Sequence, residues 1–338
     1  MKNVFIIAEA GVNHNGRLNL ALQLCDKAKE IGADAVKFQT FKTELIAVKN
    51  AEMADYQKAI VTDAQNQFDM IKALELSYKE FEVIKDHCEK IGIEFMSTPD
   101  EEESLDFLVS LGVKTLKVGS GEVDNIPFLR RVAQYNKPTI LSTGMSTMAE
   151  IEILMRELSF AGLDLDKITL LHCNTEYPTP LKDVNLKAMV ELRNKFKVKV
   201  GYSDHTLGSI VAVAATALGA VCIEKHFTLD NQMQGPDHKA SLNPQDFEAM
   251  IKAIRETELL LGSDDKKVSS SEAKNKRLIR KVIVAKRDIQ KGEKLSVENL
   301  CLKRSSAGIS GYSWDLVIGK VADKNYNVDE SIAEAILK

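Results

Sequence analysis

The chain has 338 residues, 44% of them hydrophobic and 28% charged, with a net charge of −4. That length carries one large domain and a smaller one, with the composition of a water-soluble globular protein. The negative balance, without a basic run interleaved with aromatics, excludes nucleic acid as a general partner, and no apolar run approaches the length of a membrane span.

VFIIA (4–8) is a short apolar run, too short for a signal peptide, and Asn15-Gly16 marks a turn. Residues 18–31 carry apolar side chains at helical spacing up to Gly32, and AVKFQ (35–39) repeats the strand pattern. The polar stretch 40–66 has no clean period; a connection of that kind in a compact domain is a functional loop or lid. Helices over 78–91, 101–111, 128–135 and 147–161 alternate with strands at 93–97, 115–119, 139–142 and 168–173. A helix over 185–196 then leads into VKVGYSDHTLGSIVAVAATALGAVCIEKHF (198–227), where two apolar runs flank a small-residue helix and each ends in a histidine. Residues 244–261 form the closing helix. Eight short runs separated by helices are the signature of a TIM (β/α)8 barrel, expected over 1–262. A Ser-, Asp- and Lys-rich linker follows over 263–280. Alternation around Lys291-Gly292 predicts a hairpin in a small β-rich domain at 281–338. Five scattered cysteines without CxxC spacing read as reduced thiols, hence a cytoplasmic protein.

In a barrel the C-terminal strand ends share one rim, where polar residues of this chain converge. His205 and His226, on neighbouring strands, suit a divalent first-row metal. Lys37 and Lys117 lie inside apolar strands, where an ammonium is costly to bury unless an anion meets it. With Thr98, Ser120, Ser142, Ser203 and the main chain of 119–121 they make a candidate phosphate cradle. Glu9, Glu122 and Asp237 are candidates for proton transfer or for binding sugar hydroxyls. His14 and His238 are expected at the pocket, His172 behind it and His87 on a surface helix. Glu224 and Lys225 read as an ion pair below the metal. A metal, an anion cradle and carboxylates suit attack of a phosphorylated enol on a carbonyl. Another metal-dependent barrel enzyme, such as a sugar isomerase or metal aldolase, and a non-catalytic sugar sensor are the alternatives.

The motifs IIAEAGVNHNG (6–16), GADAVKFQTF (32–41), STP (97–99), KVGSGE (117–122), LSTGM (141–145), HCNTEYPTP (172–180), GYSDHT (201–206), EKHFTLD (224–230) and GPDH (235–238) resemble the sialic acid synthase family. That family includes N-acetylneuraminate, legionaminate and pseudaminate synthases. The C-terminal segment resembles its antifreeze-like, or SAF, domain. The resemblance implies condensation of phosphoenolpyruvate with an open-chain N-acetylhexosamine such as N-acetylmannosamine, in a homodimer with swapped C-terminal domains. It implies that Lys37, Thr98, Lys117, Ser120, Ser142, Ser203 and Asn174, with Thr175 as the alternative to Asn174, hold phosphoenolpyruvate. It implies that Glu9, Gln39, Glu122, Tyr177 and Asp237 face the sugar or the reacting centre, and that Arg304 reaches the partner's sugar. His205 and His226 would bind manganese, with magnesium or cobalt as alternatives. Two positions depart from the family pattern: Asp100, where many members have Phe, and Ser305, where proline is usual. HCNTEYPTP resembles the legionaminate-type branch more than it does some neuraminate synthases.

Overall fold

In the computed structural model, which describes residues 3–52 and 66–337, eight parallel strands surround one axis. They are β1 (Phe5–Gly11), β2 (Ala35–Thr40), β3 (Glu94–Pro99), β4 (Leu116–Val118), β5 (Thr139–Ser142), β6 (Ile168–His172), β7 (Lys199–Asp204) and β8 (Cys222–His226). The hydrogen-bonded order is β3-β2-β1-β8-β7-β6-β5-β4, so the sheet begins and ends on strands consecutive in sequence and the barrel is nearly closed. The helices of this unit are α1 (Leu18–Glu30), α2 (Thr43–Ile46), α3 (Gln67–Leu74), α4 (Tyr78–Ile91), α5 (Glu102–Ser110), α6 (Ile126–Gln134), α7 (Met148–Phe160), α8 (Leu186–Phe196), α9 (Ile210–Ala217) and α10 (Pro244–Leu261). Reciprocal capping boxes start two of them, Ser77 with Glu80 at α4 and Thr147 with Glu150 at α7.

Strand alternation explains how this barrel makes a site. Ile7, Ala35, Met96, Ile140, Leu171 and Cys222 form an apolar layer inside it, while Ile6, Val36, Phe38, Leu141 and Ile223 pack into the core shared with the helices. Two residues further along the same inward faces stand Glu9, Lys37, Thr98, Ser142 and Glu224. The period of two therefore stacks a polar layer directly on the hydrocarbon floor.

The same alternation corrects one expectation. Glu224 and Lys225 are neighbours on β8, so their side chains take opposite faces and do not pair. Lys225 instead donates to Asp204 Oδ2 at 2.8 Å and to the Thr206 carbonyl at 2.6 Å, and both side chains of the ion pair have 0% exposure. Asp204 Oδ1 accepts from the Thr206 amide and hydroxyl. Removing one member leaves a buried charge alone, so Lys225→Met should lower stability by about 3–5 kcal/mol in urea unfolding. A change within about 0.5 kcal/mol, the range of ordinary surface substitutions, would show that Asp204 is satisfied without it.

The chain divides into two compact units, 1–262 and 263–338. In the second, the stretch read as a linker carries helix α11 (Ser270–Ile279), started by a Ser269–Glu272 capping box. Strands β9 (Lys281–Ala285) and β10 (Leu300–Arg304) pair antiparallel, Ala285 opposite Leu300. Lys291-Gly292 does turn the chain, with Gly292 at φ +89°, but lies within the long 286–299 connection and is not a tight hairpin between these strands. Single bridges such as Ile289 to Tyr326 and a core of Ile283, Ile289, Leu295, Leu300 and Tyr326 hold the unit, which also contains the short helix α12 (Trp314–Val317). Among the described residues no helix is long and apolar enough to cross a membrane.

Candidate active site

The register of the central strands sets the first row of the site. Glu9 on β1 stands level with Lys37 on β2 and with His226 on β8, and Ser203 on β7 stands level with Glu224. Beyond Glu9 the β1 register shifts, and Gly11 takes a φ of +50°; a Cβ there would lie 3.3 Å from Glu9 Oε1 and 3.5 Å from Gln39 Nε2. Glycine thus lets the strand bend around its own catalytic candidate.

Lys37 Nζ lies 2.7 Å from Glu9 Oε2 and 3.6 Å from Glu224 Oε2, and donates to Thr98 Oγ1 at 2.8 Å. Lys117 donates to Ser142 Oγ at 2.9 Å and lies 3.7 Å from Glu224 Oε1. Both ammoniums, with Ser120, Ser142, Ser203 and the Gly119 to Gly121 turn, line one cavity of about 240 Å³. The loop after β5 closes on it at Gly144, whose N–H donates to Ser120 Oγ at 3.0 Å. A Cβ at Gly144 would meet Ser120 Oγ at 2.9 Å and Thr175 Cγ2 at 2.8 Å.

Burial would raise Glu224, yet Lys117, Lys37 and the Ser203 hydroxyl bring it down to about 2. Burial pushes Glu9 up to about 7, with the Glu224 charge adding to the shift and Lys37 opposing it. Two adjacent carboxylates are thereby separated in role: Glu224 stays an anion that anchors both lysines, while Glu9 is able to exchange a proton near neutrality. Lys117 is lowered by its burial and by Lys37.

Across the cavity His205 donates through Nδ1 to the Asn174 carbonyl. That bond turns Nε2 inward, 3.1 Å from the Tyr177 hydroxyl and 3.2 Å from Ser203 Oγ. His226 Nδ1 is buried without a hydrogen-bond partner and lies 3.8 Å from Asp237 Oδ2. The two ring centroids are 5.5 Å apart, and burial lowers both imidazoles, so they are neutral at pH 7. Neutral rings sharing a cavity, one fixed through its far nitrogen by a main-chain carbonyl, fit a divalent ion as two of its ligands. Among the described residues no group of three or more His, Cys, Asp and Glu could hold such an ion, so water and substrate would fill its other positions.

The NeuB family model matches residues 24–266. The chain belongs to the NeuB family. A SAF domain matches residues 280–335, so the family and second domain expected from the motifs are those found. The chain is 49% identical over 334 residues to the N,N'-diacetyllegionaminic acid synthase of Campylobacter jejuni subsp. jejuni serotype O:2, covering 99% of this chain and 100% of the relative. It is 45% identical over 330 residues to the N,N'-diacetyllegionaminic acid synthase of Legionella pneumophila subsp. pneumophila, covering 97% and 93%. Among solved structures, the N-acetylneuraminic acid synthetase of Leptospira borgpetersenii serovar Hardjo-bovis is 33% identical, with a TM-score of 0.71 over 81% of this chain and 90% of that one.

A second cavity of this NeuB-family barrel opens beside the first, lined by Gln39, Asp100, Tyr177, His226, Asp237 and an apolar wall including Phe41, Met70, Ile71 and Leu74. Much of that wall lies on α3, which directly follows the aperiodic stretch 40–66 and for which the sequence gives no element. The stretch 40–66, expected as a functional loop or lid, lies partly outside the described residues. Three candidates stand elsewhere. Thr175, not Asn174, lines the first cavity; Asn174 accepts from the Glu176 amide through its side chain and supports His205 through its carbonyl. Glu122 sits on a single turn at the rim, where its carboxylate accepts from Asn125 at 2.6 Å. Arg304 ends β10 in the second unit. His14 and His238 line neither cavity: His14 Nδ1 accepts from the Gly16 amide, and His238 bonds Thr228 and Asn15. His172 packs edge-on against Tyr202 and bonds the Val184 carbonyl, and His87 pairs with Asp26 on the helical surface.

Proposed function

We propose that this NeuB-family protein is a nonulosonic acid synthase. It condenses phosphoenolpyruvate with an N-acetylmannosamine-type aldehyde and water, yielding N-acetylneuraminate or N,N'-diacetyllegionaminate and phosphate by C–O cleavage. The observation that carries the reading is the pair of buried strand ammoniums, Lys37 and Lys117, sharing one cavity with the two neutral imidazoles. A sugar isomerase or metal aldolase would release no phosphate from phosphoenolpyruvate. The identity to two N,N'-diacetyllegionaminic acid synthases and the hydrocarbon wall of the second cavity favour the 2,4-diacetamido-2,4,6-trideoxy sugar, whose methyl group that wall suits.

In this reading Lys37, Lys117, Ser120, Ser142 and Ser203 seat the enol phosphate, with Thr98 orienting Lys37. Gln39, Tyr177 and Asp237 hold the aldehyde sugar so that its carbonyl carbon faces the enol carbon. A divalent ion on His205 and His226, when bound, supplies polarisation of the aldehyde oxygen. The methylene carbon of phosphoenolpyruvate bonds the aldehyde carbon, Glu9 gives its proton to the new alkoxide, and the carboxylate then takes a proton from the water that adds at the neighbouring, phosphate-bearing carbon. Lys37 and Lys117 then stabilise the departing phosphate. The reading extends, on the family resemblance, to manganese as the metal and to a homodimer with swapped C-terminal domains, Arg304 serving the partner's sugar. The five free cysteines support a reducing, cytoplasmic setting.

Phosphate release from phosphoenolpyruvate, measured over a panel of hexosamines with and without manganese, tests this. Release is expected only with sugar and metal together, fastest with the diacetamido sugar. Silence across the panel with every metal would remove the reading.

A further inference from the structure

We propose that Asp100 is a sugar-recognition residue at the point where the two substrates meet; this rests on the synthase reading above. Four side chains line both cavities: Gln39, Asp100, Tyr177 and His226. One cavity is the ammonium-lined anion seat and the other is the apolar-walled chamber, so these four mark the plane across which enol carbon and aldehyde carbon bond. Three of them already carry roles. The fourth is a carboxyl.

Its position is built, not incidental. Asp100 follows the last residue of β3, and its main-chain N–H donates to the Thr40 carbonyl at 3.2 Å, which pins it across the ends of two barrel strands. Its side chain makes no hydrogen bond or ion pair of its own among the described residues. A carboxyl held in a cavity without a donor is unfavourable until a ligand brings one. Phosphoenolpyruvate at neutral pH offers no donor, because its carboxylate and phosphate oxygens accept and carry negative charge. An aldehyde hexosamine offers several, the acetamido N–H and the hydroxyls near the aldehyde carbon. Asp100 therefore pairs with the donors of the sugar, in a chamber that Asp237 also lines. An N-acylated polyhydroxy aldehyde fits this arrangement.

Steady-state kinetics of the full-length, manganese-loaded protein test the assignment with Asp100→Ala and Asp100→Asn. The alanine variant should raise the sugar KM about 10-fold, the scale of one lost hydrogen bond, while the phosphoenolpyruvate KM stays within about 2-fold on the same scale. Asparagine keeps an acceptor oxygen in the same volume and should recover part of the loss, with a melting temperature unchanged from the parent. An unchanged sugar KM in both variants, or a rise in the phosphoenolpyruvate KM in place of the sugar's, would overturn the assignment while leaving the synthase reading intact. A parent protein that releases no phosphate with any sugar would overturn both.

Discussion

Replacing Lys37 by Met should reduce turnover by about 10³-fold, the scale for deleting a preorganised group that stabilises developing charge. The loss is expected to be larger than for a surface lysine because this ammonium is shared. It contacts Glu9 at 2.7 Å and Thr98 at 2.8 Å and lies 3.6 Å from Glu224. Without it, Glu9 and Glu224 face each other across the seat with Lys117 as the remaining ammonium of the cradle, and the anionic substrate meets net repulsion. Both kcat and the phosphoenolpyruvate KM should therefore suffer. Lys37→Arg keeps the charge but not the compact head, and should restore binding better than turnover. A Lys37→Met protein with near-parental kinetics would move the anion seat elsewhere.

Stripping the protein with a chelator should abolish turnover, and His226→Ala should lower it on the order of 10³-fold even with manganese restored. His205→Ala should do the same, because its Nδ1 bond to the Asn174 carbonyl presents Nε2 to the cavity and no other described imidazole takes that place. Manganese titration of the stripped parent and of both variants supplies a readout independent of turnover. Ions bound equally by all three would place the metal away from the two rings. Lys225→Met serves as the contrast: it damages stability on the far face of the same strands without deleting a ligand.

Strand ends were readable because a barrel brings them together whatever lies between. His205 and His226 could be paired from the sequence since each ends a run on consecutive strands, and Lys37 and Lys117 stood out as charges inside hydrocarbon. Glu224 was misassigned because residue neighbours were read as spatial neighbours; the period of two, applied to EKH, places Glu224 with His226 on the inner face and Lys225 on the outer. Helix α3 is not legible in the sequence although Asn66 caps it by accepting from the Asp69 amide, since two turns carrying Phe68, Met70, Ile71 and Leu74 are too short to display a helical period. The exchange of Asn174 for Thr175 is a matter of one residue in an irregular loop, where no periodicity says which side chain turns inward. Asp100 stands out in the sequence only as a departure from the family pattern, since its exposure to two cavities is a property of the folded barrel.

The most direct test uses phosphoenolpyruvate carrying ¹⁸O at the bridging position, turned over with the diacetamido sugar and manganese. Mass spectrometry of the products should find the label in the released phosphate, one phosphate for each keto acid formed. Label retained in the organic product, or phosphate appearing without sugar, would contradict carbon–oxygen cleavage coupled to condensation at this site.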